Sequence, residues 1–238
     1  MEVPYFACFR KPLTTSSLLT FPIPPPSTVF GLILNALGVN RKSYLKEIEE
    51  LQRALRINIC PIVQLERPTR ELAKMLKLIG REVERRPGLF PSSPIFKDLL
   101  VRPSYEVFLT SKDYRLVREV TDVLQSPTRP LYLGQSDDMV VVEVLWEGKV
   151  RSGHVRELWG LVMGVHEGCE VLRIPFGFEG NSVLYLPLTS LPKEPPLRLA
   201  KQREAFIFGK KAVELFGIEN VDRQAAGESP SDFRGTHH

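Results

Sequence analysis

The order of segments along this chain predicts an α+β protein in two portions, and three observations carry that prediction. Between residues 3 and 147, strand-like and helix-like runs follow one another as β-α-α-β, an interruption, and then β-α-β. From about residue 149 onward, short apolar runs separated by turn residues take over. The 238 residues, 43% of them apolar, supply enough side chain for one large core or two smaller ones. A β-α-β, insertion, β-α-β order is that of the ferredoxin-like unit, which is also the scaffold of RNA-recognition motifs. The expected division is therefore a ferredoxin-like (RRM-type) domain over 1–148 with an insertion at about 65–100, a smaller β-rich domain over 149–217 and a flexible tail over 218–238.

VPYFACFRK (3–11) is short, aromatic and partly alternating, which predicts a strand ending on Arg10 and Lys11. FPIPPPSTVFGLILNALG (21–38) is a proline-rich loop feeding an apolar helix, with Ser27 or Thr28 placed to cap it and Gly38 placed to end it in a left-handed conformation. SYLKEIEELQRALR (43–56) repeats apolar residues at helical spacing, and INICPIVQL (57–65) reads as a strand. In TRELAKMLKLIGREVERR (69–86), steps of about 100° per residue gather Leu72, Met75, Leu76, Ile79 and Val83 on one side and Arg70, Lys74, Lys77, Arg81 and Arg85 on the other. This predicts a helix with a basic stripe, which taken alone reads as a solvated face.

VRPSYEVFLTS (101–111) alternates as a strand, KDYRLVREVTDVLQ (112–125) has helical spacing, SPTRPLYLGQSDDM (126–139) is a loop, and VVVEVLWEGKV (140–150) predicts the fourth strand. Beyond it, EVLRIPFGF (170–178) and SVLYLPL (182–188) flank a turn at EGN, and REAFIFGKKAVELFG (203–217) holds a last strand or short helix.

Composition excludes several classes. A mean hydropathy of -0.09 and apolar runs well short of the ~20 residues that span a bilayer argue against disorder and against a membrane protein. The N-terminus opens on an acid and has no uninterrupted apolar stretch, so no signal peptide is expected and the cytoplasm is the expected location. Cys8, Cys60 and Cys169 are odd in number and far apart, which fits reduced thiols. The net charge of +4 is only mildly basic, although 20 of the 32 cations are Arg, whose planar fork suits phosphates and base edges. No phosphate-binding glycine loop, zinc-protease or nucleophile-elbow pattern is present, so no cofactor is expected. His154 and His166 do not make a metal site, and the Asp137-Asp138 pair reads as a solvated turn rather than a magnesium cage.

The PPPSTVFGLILNALG phrase, the PLYLGQSDD phrase and LLVRPSYEVFL (99–109) together resemble the CRISPR-associated RAMP superfamily, in its fifth numbered Cas family. The resemblance covers about residues 3–147. It implies a type I Cascade subunit of the I-A or I-B kind that caps the 5′ handle of the CRISPR RNA, an RRM-like domain with a protruding thumb, and a β-rich C-terminal domain. The implied partners are the CRISPR RNA, the backbone RAMP subunit, the large subunit and, through the complex, target DNA, with no membrane. Carried onto this chain, the handle-facing residues are Arg10, Lys11, Ser27, Thr28, Arg129, Tyr132, Gly134, Gln135 and Ser136, with Arg67, Arg70 and Lys74 in the thumb region.

These residue types suit the task on physical grounds. A guide-RNA end is single-stranded and charged, so holding it takes cations or free amides for phosphates and flat groups for bases. Gly134 lets a backbone approach closely, Tyr132 can stack, and Gln135 and Ser136 can bond base edges or 2′-hydroxyls. One branch of the resembled family cleaves repeat RNA without metal, and a metal-independent endoribonuclease is the alternative function. Such chemistry needs a proton carrier tuned near neutrality beside a cation. The chain through residue 147 holds no histidine, and Tyr5, Tyr44, Tyr105, Tyr114 and Tyr132 have no Lys-His partner in sequence, so a non-catalytic subunit is expected.

Overall fold

In a computed structural model of the chain, the described residues are 1–12, 14, 17–63, 67–76, 92–135 and 138–222, with backbone alone at 75–76 and 92–93. They form a mixed α/β structure of sheets with few helices. Its centre is helix α1 (Pro26–Ala36), eight of whose eleven residues are buried. Pro25 occupies the N-cap and Pro26 the first helical position, where a missing N–H costs nothing. Ser27 and Thr28 therefore stand inside the first turn and do not cap it. The C-terminal end follows the expected chemistry. Gly38 adopts φ +74°, its N–H donates to Asn35, and the Val39 N–H donates to Leu34, which is a Schellman closure.

Around α1 stand α2 (Tyr44–Ala54) and α3 (Tyr114–Gln125), and Phe30 meets Phe176 edge to face at 5.6 Å between ring centroids. Strands β5 (Leu55–Pro61) and β8 (Tyr105–Ser111) pair antiparallel over their whole length, and Glu2 bridges both Ser104 and Val141. The first segment is two short strands, β1 (Phe6–Ala7) and β2 (Phe9–Arg10), divided at Cys8. β2 pairs antiparallel with β4 (Thr20–Phe21), while the short β3 (Ser17–Leu18) lies parallel to a later strand, β7 (Ser92–Val101).

Two elements differ from the sequence prediction. Thr69–Leu76 is not a helix but a strand, β6, paired antiparallel with β7 (Ser92–Val101). Its alternation sends Ala73 toward a small cluster of Cys8, Leu18, Ile95 and Leu99, and leaves Arg70, Leu72 and Lys74 exposed on the other face. The predicted stripe residues Lys77, Arg81 and Arg85 lie outside the described residues. The predicted fourth strand at 140–150 is also absent: the segment bridges only through Val141 to Glu2, and Met139, just before it, bridges to Tyr132. With no continuous partner, strand propensity alone forms no ladder, and Leu145 and Trp146 stay exposed.

Downstream, β12 (Pro175–Glu179) and β13 (Ser182–Tyr185) form the hairpin expected around EGN. β9 (Arg151–Leu158), β15 (Leu197–Phe208) and β16 (Lys211–Val213) make a separate sheet, and β10 (Val162–Met163), β11 (Cys169–Leu172) and β14 (Thr189–Pro192) a third. Both portions of the chain contribute to one main core, which joins Phe9, Ile33 and Ile57 to Leu161, Phe176, Leu186 and Phe216. Two buried amides stitch it: Gln52 Oε1 accepts from the Phe178 N–H at 2.9 Å, and Asn58 accepts from Leu161 N–H and donates to the carbonyls of Leu161 and Glu214. Ile218 and Val221 pack against this core, so ordered structure continues through a 3-10 turn at Ile218–Asn220 to Asp222, past the expected start of the tail.

Candidate nucleic-acid interface

The 126–139 loop is built onto the closed end of α1. Asn35, buried on the helix, donates to the Pro130 carbonyl at 2.8 Å, and Thr128 packs against Gly38. Arg129 donates through Nη1 to Val39 O and through Nη2 to Gly38 O, at 2.9 and 2.8 Å. Its guanidinium therefore tethers the loop to the helix end while one edge stays exposed. Next to it, Arg41 Nη2 donates to the Tyr132 hydroxyl at 3.3 Å. The Tyr44 hydroxyl is buried close to Arg129 without a hydrogen bond of good geometry, and burial, with Tyr132 beside it, pushes its phenol above the ordinary range. Two guanidinium planes and two phenol rings thus gather at one corner.

Farther along the loop, Gly134 has φ +102° and sits so close to Cys8 O and the Phe9 ring that a Cβ would fall 3.3 Å from each. A side chain there would meet both a left-handed backbone and a crowded wall. Asp138, 4% exposed, accepts from the Cys8 N–H at 3.0 Å and, more weakly, from the Gln135 N–H at 3.4 Å. The carboxylate of the predicted solvated turn is in fact a buried anchor. From β7, Lys97 donates to Gln135 Oε1 at 2.9 Å. The loop is held from three sides, and Ser136 lies outside the described residues.

The remaining predicted residues are distributed unevenly. Arg10 is exposed and donates to Thr14 O at 2.8 Å, and Lys11 Nζ stands 5.4 Å from the Phe21 ring centroid. Ser27 and Thr28 are half-buried in the first turn of α1, whereas Arg129 and Tyr132 are at its last, about 16 Å away for eleven residues. The structure does not bring those two groups together. Arg67, Arg70 and Lys74 are exposed on or just before β6, and Arg70 Nε is held at 2.8 Å by Asp98 across the hairpin. Between Arg70 and Lys74 the cross-strand pair Leu72 and Phe96 is exposed, at 62% and 49%. A face mixing cations with an exposed aromatic ring has the groups that a single strand uses, charge for its backbone and a ring for its bases.

Sequence reasoning missed Arg41, Tyr44 and Lys97. Arg41 and Tyr44 had a usable signal, since they directly follow a helix stop at Gly38 that faces the loop. Lys97 had none, because its meeting with Gln135 depends on where tertiary pairing places β7.

Every residue placed here falls within the stretch matched by a family profile, that of CRISPR-associated protein (Cas_Cas5), over residues 2–171. The chain belongs to the Cas5 family. Among solved structures, it is similar to a chain titled "CRISPR RNA-guided surveillance complex", at 13% identity and a TM-score of 0.46 over 89% of each chain. It is also similar to one titled "Crystal structure of Cas protein", at 16% identity and a TM-score of 0.40, covering 90% of this chain and 95% of that one. No individually curated protein matches it. In this Cas5 protein, the matched stretch takes in the β6–β7 hairpin and the whole 126–139 loop and ends at β11.

Proposed function

We propose that this Cas5-family chain is a non-catalytic RNA-binding subunit of a type I Cascade effector, one that grips the 5′ handle of the guide RNA and nucleates the backbone in antiviral defence. The observation that carries the reading is the convergence of Arg41, Arg129, Tyr132 and the Lys97–Gln135 pair on one core-anchored loop inside the family-matched stretch. Guanidinium groups and a lysine answer phosphates and Tyr132 offers a stacking surface, while Gly134 lets the loop close against Cys8 and Phe9 and so fixes where they stand. The pairing of β5 with β8 and the bridges of Glu2 to Ser104 and Val141 support a ferredoxin-like reading of 1–148, with the β6–β7 hairpin as the thumb and 149–217 as the C-terminal portion. The backbone RAMP subunit and the large subunit are the proposed protein partners, and the cytoplasm the proposed location. No helix of the described residues is long and apolar enough to cross a membrane.

Three of the tyrosines, Tyr44, Tyr105 and Tyr114, support the non-catalytic part of the reading. Burial raises Tyr105, whose hydroxyl donates to Pro22 O, and Tyr44 is raised in the same way; a hydrogen bond with Glu147 raises Tyr114. Each shift moves the phenol away from the range a general base needs at neutral pH. The test uses RNAs with the native handle, a scrambled handle and no handle, alone and with the backbone subunit. Native-handle RNA is expected to bind about tenfold tighter or more, and all three are expected to survive incubation in EDTA uncut. Equal affinities in the assembled complex would remove handle recognition, and a single cut leaving a 2′,3′-cyclic phosphate would replace the subunit with the endoribonuclease.

A further inference from the structure

The sheet of β9, β15 and β16 carries a pocket that the handle-facing surface does not use. Its register breaks: Arg198 pairs with Glu157 and Arg203 with Val155, so four residues of β15, Leu199–Gln202, stand opposite Arg156 alone. A bulge of this kind spreads the strands and re-aims side chains, and such irregularities concentrate at binding sites. A cavity of about 330 Å³ opens on the sheet, and its lining includes Arg156, Glu157, Trp159, Ile207 and Lys210. That volume is at the lower end of the roughly 300–1,000 Å³ of ligand-sized clefts, enough for one flat group with its attached anion.

The chemistry of the lining is one-sided. The Trp159 backbone N–H donates to Ala212 O at 2.9 Å, and Lys211 Nζ stands 4.8 Å from the centroid of its indole ring. Lys211 is itself held by Glu106 at 2.6 Å. Glu157, the one acid in the lining, is engaged by Arg198 Nε at 3.1 Å. Arg156 and Lys210 are exposed. An indole wall with two cations, beside a carboxylate already paired with Arg198, matches a nucleotide, whose base stacks and whose phosphate takes the charges.

We propose that this pocket is a second contact for single-stranded nucleic acid, seating one nucleotide with its base against Trp159 and its phosphate between Arg156 and Lys210. It lies on the C-terminal sheet, apart from the handle-facing loop, and rests on the guide-RNA reading only for the expectation that a strand is present. The strand is RNA if it comes from the guide and DNA if it comes from the target, and the two sources share the chemistry.

The test uses the full chain with Trp146→Phe, which leaves Trp159 as the sole indole, and short handle-free oligonucleotides of one sequence as RNA and as DNA. Quenching of Trp159 fluorescence is expected with at least one of them, RNA alone naming the guide, DNA alone the target strand, and both a contact blind to the sugar. Arg156→Gln with Lys210→Gln should weaken that binding about tenfold and reduce the salt slope by about 1.4, for two phosphate contacts at roughly 0.7 each, while handle affinity in the loop assay keeps its preference for the native sequence. As a check that needs no substitution, 5-bromouracil oligonucleotides irradiated with the unaltered chain should crosslink within 151–159. No quenching at low salt and no crosslink there, in a protein that still prefers native-handle RNA, would overturn the pocket and spare the handle reading. Quenching without handle preference would do the reverse.

Discussion

The 126–139 loop and the β6–β7 hairpin both present cations toward solvent, but they are built in opposite ways. The loop is tied to the core by Asn35, by Arg129 at the end of α1, by the buried Asp138 and by Lys97. The hairpin packs through few described side chains, chiefly Ala73, Ile95 and Leu99 against Cys8 and Leu18, and exposes Arg70, Leu72, Lys74 and Phe96. Anchored groups are already ordered when a ligand arrives, so little entropy is lost in binding and position can carry specificity. Exposed groups on a hairpin supply charge and area instead. Changes in the loop should therefore move stability and recognition together, and changes on the hairpin should move affinity alone.

The largest expected effect is at Asp138. Asp138→Ala leaves the Cys8 N–H buried without its acceptor and should cost about 2–3 kcal/mol. For a chain of this length that lowers the melting temperature by about 4–12 °C, measured by calorimetry, with loss of native-handle preference. Unchanged melting would mean that the loop is not held through this carboxylate. Arg129→Ala comes next: two hydrogen bonds to the end of α1 are lost at an exposed site, about 1 kcal/mol in all, and Lys at the same position should recover little because it cannot bridge both carbonyls.

A pH effect separates the anchored region further. Burial raises the Cys8 thiol above its ordinary 9.0, so the folded state keeps its proton where the unfolded chain gives it up. Stability from this group is complete below pH 9.0 and is lost as pH rises beyond it toward the folded value. Melting temperature should fall between pH 9 and 10, less so in Cys8→Ala; an identical fall in both would exclude the thiol as a source. The smallest effect on stability belongs to the hairpin, where Arg67, Arg70 and Lys74 changed together to Gln should leave melting almost unmoved. The salt slope of RNA binding should nonetheless drop by up to about 2, at roughly 0.7 per lost phosphate contact. A drop in melting with an unchanged slope would mean that this face packs against protein.

How much of this was readable from the chain follows the same division. Local chemistry was legible: Gly38 after an apolar run marked the end of α1, and the Pro and Gly residues of 126–139 marked a loop. The start of α1 was misjudged because Pro25 took the N-cap position that Ser27 and Thr28 are better known for. Leu72, Met75 and Leu76 fit a helical period as well as a strand, and the choice was made by β7, at residues 92–101, which no local window contains. The run MVVVEVLW failed for the complementary reason, since beyond the single bridges of Met139 and Val141 it finds no continuous partner strand. In the site, the loop residues were visible by type, but Arg41, Lys97 and the anchoring role of Asp138 depend on contacts with distant segments.

The central claim is that the anchored loop reads the RNA end while the hairpin only adds affinity. The measurement is the ratio of native-handle to scrambled-handle affinity, at one salt concentration, for the unaltered chain, for Tyr132→Ala with Gln135→Ala, and for the triple hairpin variant. The account predicts that the loop variant brings the ratio close to one, and that the hairpin variant weakens both RNAs alike and keeps the ratio. A ratio that survives in the loop variant and collapses in the hairpin variant would contradict it.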